Sequence, residues 1–277
     1  MTKPGIVRLV LVTATIGFAL GGSGLGRWPL LVIMLIGTAL GSAGAFVLNH
    51  YFEREPDALM DRTRNRPLPA GTVSPRAALI FGLILLFAGT LILYWGVNLL
   101  SAALVFGTSV LYVLVYTPLK RLSWWNTPIG AIPGAVPPLV GWAASNGRLD
   151  TGAWVLFLIL FLWQHPHFYA LAWMYREDYE RGGFKMLPVV DPDGKSTFRH
   201  SLVAVILLVP VSMWPFFVKM SGPIYLASAL VLGVLFLLVC IRWRLSQSIR
   251  DARLVFIYSI LYWMLLFVFI LIDAYVF

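Results

Sequence analysis

Nine runs of about twenty apolar residues, separated by short polar breaks, decide what this chain can become. Inside hydrocarbon every backbone N–H and C=O needs a partner within the protein, and a run of that length meets the demand as a helix. The runs cover roughly 6–25, 28–52, 75–95, 98–117, 127–146, 151–175, 199–218, 222–242 and 252–273. The expectation is an all-α polytopic membrane protein with nine transmembrane helices, built as a single domain over residues 1–277. A hydrophobic content of 60% against 12% charged residues, with a mean hydropathy of +0.84, excludes an ordinary soluble domain. The first run follows Lys3 and Arg8 and ends in Gly21, Gly22, Ser23 and Gly24, a signal-peptide outline. It is long enough to span, and is read as the first membrane helix. Cys240 is the only cysteine, which excludes a disulfide framework and a cysteine metal site.

The basic residues orient the runs. If the chain starts inside, only Arg27, Arg148 and Lys219 of the 21 lysines and arginines fall outside. Such a bias follows the positive-inside rule and gives an N-in, C-out arrangement. The net charge of +9 then reads as topology, with no nucleic-acid partner implied. The two long polar loops, about 53–75 and 176–198, both lie on the cytoplasmic side. Each opens on acids, contains arginine and ends in a Pro/Gly turn, a weak internal repeat.

The stretch from Asn49 to Gly71 crowds Glu53, Glu55, Asp57 and Asp61 against Arg54, Arg62, Arg64 and Arg66 at the end of the second run. Charges near the hydrocarbon are costly, so a functional role is the default reading. Asn49, Glu53 and Asp57 are spaced i, i+4, i+8 and share one helix face. Pro56 predicts that the helix kinks or ends there. Oxygen ligands at a helix end suit a hard cation such as Mg²⁺, which takes one or two carboxylates together with substrate phosphates. The neighbouring guanidinium groups suit phosphate oxygens. The competing reading is a solvated loop whose charges pair with one another.

In the second loop Arg176, Glu177 and Asp178 stand where the sixth run leaves the membrane, and either acid is placed to pair with Arg181. Gly182 and Gly183 end that helix, and Asp193-Gly194 marks a turn. His165 and His167 flank Pro166 and point to opposite sides, so they are no chelating pair. A hydrogen bond to a neighbouring helix and a ligand role, such as haem ligation, are both open. Lys120 and Arg121 precede Trp124 and Trp125, an interfacial belt or a diphosphate grip beside aromatic faces. Gly130, Pro133, Gly134, Pro137, Pro138 and Gly141 then thin the fifth run, which suits a pocket wall. Arg242, Arg244, Arg250 and Arg253 read as topology signal.

The run N-x3-E-x3-D-x2-M-x-R-T-x2-R-P-L from Asn49 to Leu68 resembles the first acidic motif of the UbiA superfamily of intramembrane prenyltransferases. The likeness continues through TKPGI at Thr2–Ile6, YTPLKR at Tyr116–Arg121, WQ-x-PHF at Trp163–Phe168, RED-Y at Arg176–Tyr179 and MLPVV at Met186–Val190. It is narrowest to the haem-farnesylating branch. His50 and Glu53 depart from the wider family's aspartates, and Tyr175 and Tyr179 stand where its second motif has aspartates.

What the resemblance implies is transfer of a farnesyl group from farnesyl diphosphate to a vinyl group of heme B, with water added, giving heme O. It implies Mg²⁺ at Asn49, Glu53 and Asp57, with Asp178 as a further catalytic acid. Arg62, Arg66, Lys120, Arg121 and Arg176 would bind the diphosphate, and Tyr116, Phe168 and Trp173 would shelter an allylic cation. His167, and less directly His165, would contact haem. Farnesyl diphosphate, heme B, the lipid bilayer and a heme A synthase or oxidase assembly factor are the partners implied. The alternatives are the same fold acting on an aromatic or quinone-precursor acceptor, and a haem-binding membrane protein without chemistry. No Arg/Ser-rich presequence precedes the first run, which leads to the expectation of a prokaryotic cytoplasmic membrane.

Overall fold

The computed structural model describes residues 1–23 and 26–276, all helix and connection with no strand among them. The chain divides into two compact units. The first is Met1–Leu149 with Glu177–Lys185, and the second is Asp150–Arg176 with Met186–Phe277.

In the first unit α1 (Pro4–Phe18) starts with proline at its first helical position and runs into a π-helical turn, Ala19–Ser23, bent at Gly22 with φ 107°. Residues 24 and 25, the end of the first expected span, lie outside the described residues. Helix α2 (Trp28–Phe52) is followed at once by α3 (Arg54–Leu59). Helix α4 (Pro75–Gly96) is capped by the Ser74 hydroxyl, which accepts from the Ala77 amide, and α5 (Leu99–Val110) by Asn98. A π-helical stretch, Leu111–Tyr116, carries α5 into α6 (Thr117–Leu122), so 99–122 forms one span.

Glycines let α2 and α4 meet backbone to backbone. A Cβ on Gly44 would strike the Leu86 amide and the Gly82 carbonyl, and one on Gly89 would strike Gly37 and Gly41. Small residues at such spacing are how helices associate in lipid, where apolar surface alone gives no preference for protein over solvent.

Eight helices among the described residues are long and apolar enough to cross a membrane, against nine expected. The fifth expected span, 127–146, is two ten-residue helices, α7 (Asn126–Ala135) and α8 (Pro137–Asn146). Pro137 and Pro138 carry no backbone N–H, so the ladder breaks at Val136. Every residue of Pro137–Ser145 is buried, which suits broken helix covered by protein. Gly17 and Gly141 bring α1 and α8 together: a Cβ on either would collide with the other helix's backbone.

The second unit packs α9 (Thr151–Met174) against α12 (Lys195–Phe217) and α14 (Ile249–Val276), with α13 (Pro223–Ser246) against both α12 and α14. The short helices α10 (Arg176–Arg181) and α11 (Leu187–Val190) lie in the loop after α9. Gly183 (φ 69°) and Gly194 (φ 73°) adopt left-handed turns at the predicted breaks. The chain is an integral membrane protein.

Candidate active site

Helix α2 ends at Phe52, four residues before Pro56, yet its hydrogen-bond register survives the break. The Glu53 amide donates to the Asn49 carbonyl at 2.9 Å and the Asp57 amide to the Glu53 carbonyl at 2.8 Å. Asn49, Glu53 and Asp57 therefore stack on one face across two helices, as their spacing predicts. All three are buried, at 0%, 5% and 1% exposure.

Buried carboxylates need counter-charge, and each has one. The Lys120 ammonium lies 2.7 Å from Glu53 Oε1, and Arg66 Nη1 lies 2.6 Å from Asp57 Oδ2. Thr63 fixes the Asp57 backbone by donating to its carbonyl at 2.7 Å. Burial pushes the Asp57 carboxyl above the usual carboxylate range, against the pull of Arg66. Asn49 Nδ2 donates to Thr117 Oγ1 at 3.0 Å, which turns Asn49 Oδ1 toward Lys3 Nζ, 2.8 Å away. Burial, then repulsion from Lys120, lowers the Lys3 ammonium to about 7. His50 is buried beside this set, and neither ring nitrogen has a hydrogen-bond partner among the described residues.

Tyr116 lies next to the ion pairs, with the Lys120 ammonium 4.6 Å from its ring centroid and the Tyr112 ring at 5.1 Å. A cavity of about 420 Å³ opens beside Glu53, lined by Phe52, Pro56, Thr117, Arg121 and Phe184 among others. Arg121 thus reaches the site without touching an acid.

The segment Glu177–Lys185 is tied to the first unit at both ends. Asp178 accepts from the Asp61 amide at 3.3 Å and from Arg181, which also donates to Asp61 Oδ2 at 2.7 Å. Burial works against ionisation of Asp178, but the Arg181 and Asp61 hydrogen bonds hold its carboxyl below the usual range. At the other end the Lys185 amide donates to the Lys120 carbonyl at 2.7 Å, and Asn126 Nδ2 donates to the Lys185 carbonyl at 2.9 Å. Arg62 meets Tyr179, its guanidinium 5.6 Å from the ring centroid. Asp178 is thereby bound to Arg181, as the sequence allowed, and to the Asp61 amide, which its sequence context did not reveal.

In the second unit His165 and His167 point apart, as the i, i+2 spacing predicts. His165 is held by the Phe161 carbonyl at 2.8 Å. His167 Nδ1 meets Ser259 Oγ at 2.7 Å, and its ring stacks between Trp163 and Phe256, at 5.0 and 4.6 Å between centroids. With Nδ1 engaged, Nε2 is the nitrogen left for a ligand. Phe168 lies edge-on to His167 at 5.2 Å. Trp173 packs against Phe198 and Trp243, and Arg176 lies over its ring at 5.3 Å.

Among the described residues no three His, Cys, Asp or Glu side chains converge as a metal cage. Two carboxylates and an amide on one face do fit Mg²⁺ of the kind that takes its remaining ligands from substrate phosphates and water.

The fold and these residues define a class: the chain belongs to the UbiA prenyltransferase family, whose model matches residues 10–270. Its relatives are more particular. It is 47% identical over 282 residues to a protoheme IX farnesyltransferase of Solibacter usitatus, covering 99% of this chain and 97% of that protein. It is 44% identical to the protoheme IX farnesyltransferase of Salinibacter ruber, covering 95% and 93%. Among solved structures it is similar to a digeranylgeranylglyceryl phosphate synthase, with a TM-score of 0.82 at 19% identity, covering 99% of this chain and 97% of that one. It is also similar to a UbiA homolog from Archaeoglobus fulgidus bound to DMAPP and Mg²⁺, at 0.64 and 16%, covering 95% and 98%.

Proposed function

We propose that this chain transfers a farnesyl group from farnesyl diphosphate to a vinyl group of heme B, with water added, forming heme O and diphosphate. The observation that carries the reading is the Asn49–Glu53–Asp57 face with its three cations, in a chain so similar to protoheme IX farnesyltransferases over their whole length.

Asn49, Glu53 and Asp57 would hold Mg²⁺, which supplies charge stabilisation for a departing diphosphate. Arg66 and Lys120, already within reach of the acids, re-aim toward the diphosphate when it arrives, joined by Arg62 and Arg121. The C–O bond to the allylic carbon breaks as these cations take up the negative charge on the leaving oxygen. The Tyr116 face shelters the allylic cation, and the vinyl carbon attacks it. Water then adds to the cation left on the haem side chain and gives up one proton to solvent, so carbon–carbon bond formation itself needs no dedicated base. Asp178 keeps the second loop folded beside the acids through Arg181 and Asp61. His167, with Nδ1 held by Ser259, presents Nε2 toward the haem substrate; His165 serves less directly. The proposed protein is one prenyltransferase domain over 1–277 in a prokaryotic cytoplasmic membrane, and the distribution of basic residues supports a site facing the cytoplasm.

The test is diphosphate release from farnesyl diphosphate in the presence of heme B. Wild-type protein should release it, and Glu53→Gln or Asp57→Asn should lower the rate by about 10²-fold or more, the scale of a lost electrostatic group in an active site. Wild-type rates in either variant would contradict the assignment of these acids.

A further inference from the structure

Lys3 has no obvious reason to be where it is. It stands at the N-cap of α1 with φ 48°, a left-handed conformation that L side chains rarely adopt outside glycine and asparagine. A cation at a helix N-terminus also opposes the helix dipole. Neither the backbone nor the helix favours lysine here, so its side chain must account for it.

That side chain crosses to α2. Its ammonium donates to Asn49 Oδ1 at 2.8 Å and lies 5.4 Å from the Phe46 ring centroid. The chain start is anchored too, with Met1 packed on the cluster of Val47, Leu68 and Ala78. The segment Met1–Lys3 therefore folds over the end of α2 and holds one ammonium above the acidic face.

The charges at that face do not balance. Glu53 is matched by Lys120 and Asp57 by Arg66, each by one direct ion pair. Lys3 is a third cation, and among the described residues its ammonium meets a neutral amide and an aromatic ring. Attraction reaches it from both acids and repulsion from both basic residues, so all five groups share one electrostatic neighbourhood. With Lys3 protonated, three cations face two carboxylates, a surplus positive charge in a largely buried place, where an unmatched charge is costly. An anion arriving at the Asn49 end would cancel it.

We propose that Lys3 is a diphosphate-binding residue: its ammonium leaves Asn49 Oδ1 for the substrate's diphosphate oxygens, which frees that oxygen for the metal. The inference rests on the reading of the site as a diphosphate site and adds to it a residue from outside both polar loops. The Met1–Lys3 segment then forms one wall of the diphosphate pocket, and a single exchange couples arrival of the anion to opening of a metal ligand.

The test is binding of inorganic pyrophosphate with Mg²⁺ to the full chain in detergent, by calorimetry, for wild type, Lys3→Met and Lys3→Arg. Lys3→Met should weaken pyrophosphate binding by roughly tenfold or more, the loss expected for one charge-assisted hydrogen bond. Lys3→Arg should restore most of it, and thermal unfolding of both variants should follow wild type, which separates a binding role from a structural one. Wild-type affinity in a folded Lys3→Met variant overturns the inference while leaving the diphosphate site standing. If wild type itself binds no pyrophosphate, both the site reading and the inference fall.

Discussion

Lys120 Nζ stands 2.7 Å from Glu53 Oε1, and the two side chains are only 14% and 6% exposed. This pair joins the end of α6 to the end of α2 through charge that water barely screens. A buried pair broken on one side leaves an uncompensated charge, which costs ~3–5 kcal/mol, whereas removing both partners is often close to neutral. Glu53→Gln should therefore lower the unfolding temperature clearly, and Glu53→Gln with Lys120→Met should regain much of the loss. Additive losses in the double variant would show that the two groups act independently. Activity should be lost in both variants, because both groups serve the site.

His167 and His165 separate structure from ligand. With His167 Nδ1 fixed by Ser259 and its ring stacked on Phe256, His167→Ala should reduce heme B affinity by roughly tenfold or more, about the loss of one ligand-orienting interaction. His165 returns its hydrogen bond to its own helix, at the Phe161 carbonyl, so His165→Ala should bind heme B within about threefold of wild type, less than 1 kcal/mol. Absorption titration with heme B reads both. Equal losses, or loss only in His165→Ala, would reverse the assignment.

The second loop should loosen in acid. Asp178 is held below its ordinary range by Arg181 and the Asp61 amide, so its contribution is present above the unfolded carboxylate value, about 4, and disappears as pH falls through the lower folded value. Arg181 is shifted the other way, upward by its hydrogen bond to Asp178, and stays charged throughout. Hydrogen-exchange protection of 177–185, corrected for intrinsic rates, should fall as pH drops below about 4 in wild type. In Asp178→Asn it should be low and flat across the same range. A flat wild-type profile would remove Asp178 from this role.

Much of this was legible in the residues. Apolar run length located the spans, because hydrocarbon leaves the backbone few options, and the i, i+4, i+8 spacing put Asn49, Glu53 and Asp57 on one face. The glycines and prolines of 127–146 announced a thinned helix, but not that the ladder would break at Val136 into two short ones. Lys3 was read as a topology charge, since nothing local connects it to Asn49, 46 residues away; only the fold brings them together. The one local sign was a lysine directly before the proline that starts α1. Asp178 could be read as a partner of Arg181, but its second partner, the Asp61 amide, lies 117 residues earlier. The packing of Trp173 against Phe198 and Trp243 is set by helices α12 and α13, which no spacing within α9 could foretell.

The central claim is chemical, and mass spectrometry of extracted haems tests it most directly. Purified protein incubated with heme B, farnesyl diphosphate and Mg²⁺ should yield a hydroxyethylfarnesyl haem, and EDTA should abolish it. Unchanged heme B from a protein that still binds heme B and farnesyl diphosphate would contradict the account and move the acceptor elsewhere.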